Sequence, residues 1–261
     1  NLTKKNMCQS LKDYIYKKLL YINPIVLISE FAPHCELILG NQDSTNFKQL
    51  KALLEINKMQ NQITSYLGNI EKTLNSCVHG HDNAKRHVNR IIGQWIHGEN
   101  SKGYCIGFEG PPGVGKTTLA KNGLSNLLKD DDGTERPFAM IQLGGDCNGA
   151  TLHGHNYTYV GSTWGSIVQI LMDKQCMNPI ILIDEVDKIS KTEQGREIIG
   201  ILTHMLDATQ NDSFQDKYFG GVNIDLSNVL FILSYNDPNS IDKVLLDRIH
   251  RIKFSALSLD E

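Results

Sequence analysis

Residues 110–117 read GPPGVGKT, a full match to the phosphate-binding pattern G-x-x-x-x-G-K-[ST]. The apolar run Tyr104 to Phe108 precedes it and Leu119 to Leu124 follows, so the loop joins an expected strand to an expected helix. Gly110, Gly113 and Gly115 permit a tight turn that aims backbone N–H groups inward, and the helix behind it adds the positive end of its dipole. Pro111, Pro112, Val114 and Thr118 belong to the same binding stretch. Such a loop suits a polyphosphate. Lys116 is the cation for β and γ phosphates, and the Thr117 hydroxyl completes the shell of a Mg²⁺ ion. A Gly-Pro turn without a ligand is the competing reading, and the flanking strand and helix weigh against it.

Outward from this loop, strands and helices alternate. Strands are expected at Tyr104–Phe108, Phe138–Leu143, Ile180–Asp184, Val229–Ser234 and Arg251–Phe254, and helices at Lys116–Leu128, Ser166–Asp173, Arg196–Leu206 and Lys243–Asp247. Several strands are near-continuous apolar runs, which predicts burial on both faces in a parallel sheet flanked by helices. A further helix, capped by Asp82 and running to about Trp95, places Ala84, Val88, Ile91, Ile92 and Trp95 on one face. Between Asn46 and Leu74 apolar residues recur at helical spacing, from Leu50, Leu53, Leu54, Ile56 and Met59 to Ile63, Tyr66, Leu67, Ile70 and Leu74. That stretch either packs on the next domain or forms a neck or oligomer contact.

The 261 residues can bury a substantial core, and 40% hydrophobic with 21% charged residues is a globular mixture. A formal charge of −3 gives no general attraction to nucleic acid or anionic membrane. The six cysteines, at 8, 35, 77, 105, 147 and 176, form no C-x-x-C pair, so the expected setting is the cytoplasm or another reducing compartment. No apolar run reaches the ~18 residues of a membrane span.

The apolar run Ile180–Ile183 delivers Asp184 and Glu185 at its carboxyl end, the edge where open α/β sheets bind ligands. Asp184 is the expected Mg²⁺ holder, and Glu185 the group that polarises a water attacking the γ-phosphate. A solvated acidic turn is the bland alternative. Asn236, after the strand Val229–Ser234, can orient the same water, or Asn236-Asp237-Pro238 is simply a turn. Arg248, at the end of Val244-Leu-Leu-Asp-Arg, can reach a phosphoryl group across a subunit interface, or it forms a surface salt bridge. His153, His155 and Cys147 lack the paired spacing of a zinc site.

From His79 to Phe254 the chain resembles the ATPase module of the AAA+ class, and within it that of the Lon protease family. GPPGVGKT (110–117), IQLGG (141–145), HGHNYTYVG (153–161), ILIDEVDKIS (181–190), LDATQNDSFQDKY (206–218), DLSNVLFILSYN (225–236) and LLDR (245–248) carry the resemblance. It implies an α/β P-loop NTPase of AAA+ type, with a parallel sheet flanked by helices and an N-terminal mainly helical segment. The implied division is residues 1–77, then the ATPase domain over 78–255, then the start of a helical lid at 256–261. ATP and Mg²⁺ are the implied ligands. His79 and Gly80 match the segment lining the adenine pocket, Asn236 matches sensor 1, and Arg248 matches the arginine finger.

The resemblance further implies a ring, a hexamer in this family, that pulls protein substrates through its pore. Tyr159 and Val160 match the pair that grips the substrate, where a Tyr offers a rigid apolar face to varied sequences. Packing of Tyr159 into its own domain is the alternative. Lys188 to Gly195 matches a second pore loop. The chain departs from the family at Asn156 and Tyr157, where basic residues are usual, at Trp164, where a Pro is usual, and in LDATQN, where the family has LDPEQN. These residues contain no counterpart of the family's Ser-Lys peptidase pair or of the lid's sensor-2 arginine. A remodelling chaperone without peptidase activity, a nucleic-acid motor and a degenerate nucleotide-binding scaffold are the rival readings. No Lys or Arg lies between Asp146 and Asp173, against a nucleic-acid pore, and Lys116, Asp184, Glu185 and Arg248 are intact, against a scaffold.

Overall fold

The computed structural model describes residues 68–97, 105–128, 134–144 and 148–256, together with residues 58, 61, 64 and 65; side chains of 94–97 are outside the description. The chain divides into two units, residues 1–68 and 69–261. Most of the first lies outside the described residues, including the apolar positions expected between Leu50 and Leu67. Residues 69–77 are helical, and Ile70 and Leu74 on that helix are buried. Helix α1, Asp82–His97, buries Ala84, Val88, Ile91 and Ile92 as the spacing predicts; the Trp95 side chain is outside the description. Asp82 opens this helix and does not cap it. His81, at φ 57, occupies the preceding position, and its carbonyl accepts from Lys85 N at 3.0 Å.

Five strands, β1 Cys105–Glu109, β2 Phe138–Gln142, β3 Ile180–Asp184, β6 Leu230–Tyr235 and β7 His250–Lys253, form one sheet in the order β2-β3-β6-β1-β7. Every pairing is parallel. Burial follows position in the sheet. The central strands β1, β3 and β6 are buried almost throughout, whereas the edge strands β2 and β7 expose Met140, Gln142, His250, Arg251 and Lys253. A central strand has packing on both faces and an edge strand does not, which is why continuous apolar runs identify the centre and alternation marks the edge.

Alternation along each strand separates two cores. Cys105, Ile141, Ile181, Ile183, Phe231 and Leu233 face a cluster built with Leu152, Ile167, Ile198, Leu202, Met205 and Phe214. Ile106, Phe108, Leu182 and Ile232 point the other way and are equally buried. Fully burying each such side chain contributes about 1.5–3 kcal/mol, enough for these few to dominate the stability of the sheet.

Between β1 and β2 runs α2, which is α-helical over Lys116–Thr118, π-helical over Leu119–Leu124 and α-helical again over Ser125–Leu127. Helices α3, Gly149–His153, and α4, Ser166–Lys174, precede β3, and α5, Glu193–Leu206, follows a short 3₁₀ turn at Val186–Lys188. Thr192 caps α5 through Gly195 N at 3.4 Å, so α5 begins inside the stretch 188–195 that was expected to be a loop. A two-residue hairpin, β4 Phe214–Gln215 with β5 Asn223–Ile224, leads to β6, and α6, Lys243–Leu246, leads to β7. No helix among the described residues is long and apolar enough to cross a membrane.

Candidate nucleotide site

Because all five strands are parallel, the carboxyl ends of β1, β3 and β6 open on one edge, and the candidate residues gather there. The 110–117 loop leaves β1 with Gly113 at φ 81 and Gly115 at φ 88. Gly115 is the N-cap of α2, and its left-handed backbone is what lets the chain turn from the loop straight into a helix. Val114 is buried beneath the turn, while Pro112, Thr117 and Thr118 are exposed and Pro111 is half-buried.

Lys116 is 8% exposed, which is rare for an unpaired cation. Its Nζ donates to Asn236 Oδ1 at 2.8 Å and to the carbonyls of Gly110, Pro111 (3.3 Å) and Tyr235 (3.2 Å). Burial pushes its ammonium below the ordinary lysine range, and the nearby carboxylates of Asp184 and Asp187 partly offset that. The phosphate loop, the acidic strand end and the tip of β6 therefore share one electrostatic neighbourhood.

Asp184 is half-buried and its Oδ1 accepts from Glu185 N at 2.9 Å. Glu185 sits at φ 60, a left-handed conformation costing a non-glycine residue about 1 kcal/mol, and such strain persists only where neighbours enforce it. The neighbours are Lys188, which donates to Oε1, and Gln142, whose Nε2 donates to Oε2 at 3.1 Å. Those two hydrogen bonds, that of Lys188 first, hold the Glu185 carboxyl below the usual glutamate range. Glu185 is thus a carboxylate at neutral pH, turned toward a cation and an amide.

Two contributors to this edge carry no signal in the local sequence pattern. Asp187 accepts from the backbone N–H groups of Asn236 (3.1 Å) and Asp237 (3.2 Å), which ties the acidic turn to the tip of β6 and fixes where Asn236 points. Gln142 reaches Glu185 because β2 pairs with β3 in the register Gln142↔Asp184. Both depend on contacts between strands distant in sequence.

The segment before α1 lies against the phosphate loop. A Cβ on Gly115 would meet Val78 Cγ1 at 3.2 Å. Gly80, at φ 66, turns the chain, His79 is exposed, and the His81 ring stands edge-on to Phe254 with centroids 5.2 Å apart. Phe254 in turn abuts Gly110, where an added Cβ would fall 2.4 Å from the Phe254 carbonyl.

Arg248 takes a different position. Its guanidinium pairs with Asp207 Oδ2 at 2.9 Å, at the carboxyl end of α5, and donates to Val244 O on α6 at 3.2 Å. Within its own chain it is bonded to these partners. Tyr159 and Val160 stand on another loop, 67% and 108% exposed, so Tyr159 does not pack into its own domain. His153 lies 3.9 Å from Glu197, and Cys147 is outside the described residues.

Residues 106–257 match the family model described as ATPase family associated with various cellular activities (AAA). The chain belongs to the AAA family. As an AAA+ ATPase module it resembles those of Lon proteases: it is 40% identical over 208 residues to a Lon protease homolog of Acanthamoeba polyphaga mimivirus, covering 78% of this chain and 20% of that one. A Lon protease of Chlamydia trachomatis is 38% identical over 191 residues, covering 73% and 22% of the two chains. The mitochondrial Lon protease homolog of Drosophila melanogaster is 36% identical over 190 residues, covering 73% and 18%. The AAA+ module thus spans about a fifth of the length of these relatives.

Proposed function

We propose that this AAA+ module binds ATP at the carboxyl edge of its sheet and uses hydrolysis to unfold and move polypeptide, as the motor of an ATP-dependent protease. The observation that carries the reading is the position of Lys116 Nζ, surrounded by carbonyls of the phosphate loop and by Asn236 Oδ1, with Asp184 and Asp187 close enough to act on its charge. The residues fit a Mg²⁺ nucleotide. A loop with two left-handed glycines can present N–H groups to phosphates, Lys116 supplies a cation, and the Thr117 hydroxyl with the Asp184 carboxylate forms a hard oxygen donor set. Bound Mg²⁺ would neutralise charge on the phosphate oxygens.

In this reading His79 and Gly80 line the base pocket, and Lys116 takes the β and γ phosphates. Glu185 leaves Lys188 and Gln142 to accept a proton from the attacking water as the bond between the γ-phosphorus and its bridging oxygen breaks. Asn236, anchored through Asp187, orients that water. Arg248 serves the site of a neighbouring subunit in a ring, most simply a hexamer. Tyr159 and Val160 face a polypeptide in the pore of that ring. Their exposure supports this, since a Tyr-Val pair this exposed gains little for the fold of its own chain.

Addition of a permanently unfolded polypeptide should raise ATP hydrolysis by the wild-type chain, and Tyr159→Ala should bring the ratio of rates with and without polypeptide to about one. Stimulation of the variant equal to wild type would overturn the polypeptide-gripping assignment.

A further inference from the structure

The chain from Gly154 to Gly165 leaves the domain and returns to the same place. His155 N donates to Thr163 O at 3.0 Å across the neck, and within the tip Tyr159 N reaches Asn156 O at 3.1 Å and Ser162 N reaches Tyr159 O at 3.2 Å. Tyr157, Tyr159 and Val160 at the tip are 70%, 67% and 108% exposed. A tip without packing of its own is held in place by whatever fixes its neck.

That anchor comes from the turn between β4 and β5. Asp216 in this turn has no exposed surface, and a buried carboxylate is tolerated only when hydrogen-bonded. Its Oδ2 accepts from Gly165 N at 2.8 Å and its Oδ1 from Tyr218 N at 2.8 Å, one bond to each segment. Lys217 N donates to His153 O at 2.7 Å, so the other side of the neck is tied as well. Gly154, at φ 75, admits the carboxylate: a Cβ there would fall 2.7 Å from Asp216 Oδ1. Trp164 adds an apolar seal, edge-on to Tyr218 at 5.6 Å and stacked on Phe219 at 6.1 Å, while its indole Nε1 donates to Gln169 on α4.

We propose that the β4–β5 turn is a latch that positions the Tyr157–Val160 tip, with Asp216 and Trp164 as its positioning residues. The proposal rests on the reading of this tip as a polypeptide grip, and it sharpens the substrate class. Residues 154–165 contain no Lys, Arg, Asp or Glu, so the tip engages extended polypeptide through two tyrosines and a valine and makes no charge selection. Force on the tip passes through Gly165 and Asp216 into the hairpin that leads to β6, the strand that ends just before Asn236. The turn thus connects the grip to the catalytic edge.

The test uses the full chain with ATP and a fluorescein-labelled, reduced and carboxymethylated α-lactalbumin as the polypeptide probe. In Trp164→Ala, amide hydrogen exchange across 154–165 should rise and probe affinity should fall, each by about tenfold, the scale of a lost aromatic contact. The melting temperature should fall by no more than a few degrees and ATP affinity should stay unchanged, and Trp164→Phe, which keeps a ring in the cluster, should restore exchange and probe affinity. Unchanged exchange in Trp164→Ala would show that no latch exists. Faster exchange with unaltered probe affinity, while Tyr159→Ala abolishes binding, would overturn the positioning role and leave the grip intact. If Tyr159→Ala itself binds the probe as wild type does, the grip reading fails and the proposal fails with it.

Discussion

Lys116 and Asn236, 120 positions apart in the chain, meet at 2.8 Å between Nζ and Oδ1. The parallel pairing of β6 with β1 brings a loop residue and a distant strand tip to one point, and Asp187 holds the strand tip there. Removing either partner should therefore have different consequences. Lys116→Ala deletes the cation and should weaken ATP binding at least about 100-fold, as losing one member of a buried charge pair does. Asn236→Ala keeps the cation and should bind ATP within a few-fold of wild type, yet hydrolyse it on the order of 10² more slowly, the effect of losing one positioned polar group. Calorimetric titration and steady-state hydrolysis distinguish the two; equal loss of affinity in both would separate Asn236 from catalysis.

Arg248, bonded in its own chain to Asp207 and Val244, is the residue whose assignment depends on assembly. Arginines supplied across an interface contribute on the order of 10³ to 10⁵ in rate, so hydrolysis should rise with protein concentration. Subunits carrying Arg248→Ala, mixed with subunits carrying Lys116→Ala, should regain activity, because an intact Lys116 site then receives Arg248 from its neighbour. No recovery in mixed and demonstrably assembled rings would return Arg248 to a structural salt bridge.

Asp207 gives a pH-dependent signature. The Thr209 hydroxyl, the Thr209 N–H and the Arg248 guanidinium hold its pKa at about 2, below the ordinary 3.8. A carboxyl depressed on folding stabilises the protein above its unfolded pKa, and that contribution is lost as pH falls from about 4 to about 2. Thr209→Ala, which removes the hydroxyl bond and keeps the N–H, and Arg248→Ala, which removes a hydrogen bond and a charge, should each raise the Asp207 pKa. Carboxyl titration followed by NMR reads this directly; an Asp207 pKa unmoved in both variants would contradict the geometry at the end of α5.

How much of this was legible beforehand follows from how local each signal is. The phosphate loop and the strands β1, β3 and β6 were legible because central strands carry unbroken apolar runs, and their observed ends differ from the expected ones by one residue at most. Helix α3 and the β4–β5 hairpin were missed. Two paired residues carry no periodicity, and the turn of this hairpin is tied by Asp216 to Gly165 and by Lys217 to His153, 51 and 64 residues back in the chain. Asp187 was invisible as an anchor for the same reason, since its partners are the N–H groups of Asn236 and Asp237. The left-handed backbone of Glu185 and the π-helical turn in α2 have no signature in the apolar pattern either.

The most direct test of the central claim is the identity of the nucleotide held by Glu185→Gln. This substitution keeps the shape of the side chain and leaves Asp184 and Lys116 in place, while removing the proton acceptor. After incubation with ATP and Mg²⁺ and rapid removal of free nucleotide, the variant should retain intact ATP, the wild type mainly ADP, and Lys116→Ala neither. Turnover of ATP by Glu185→Gln at close to the wild-type rate would contradict the account.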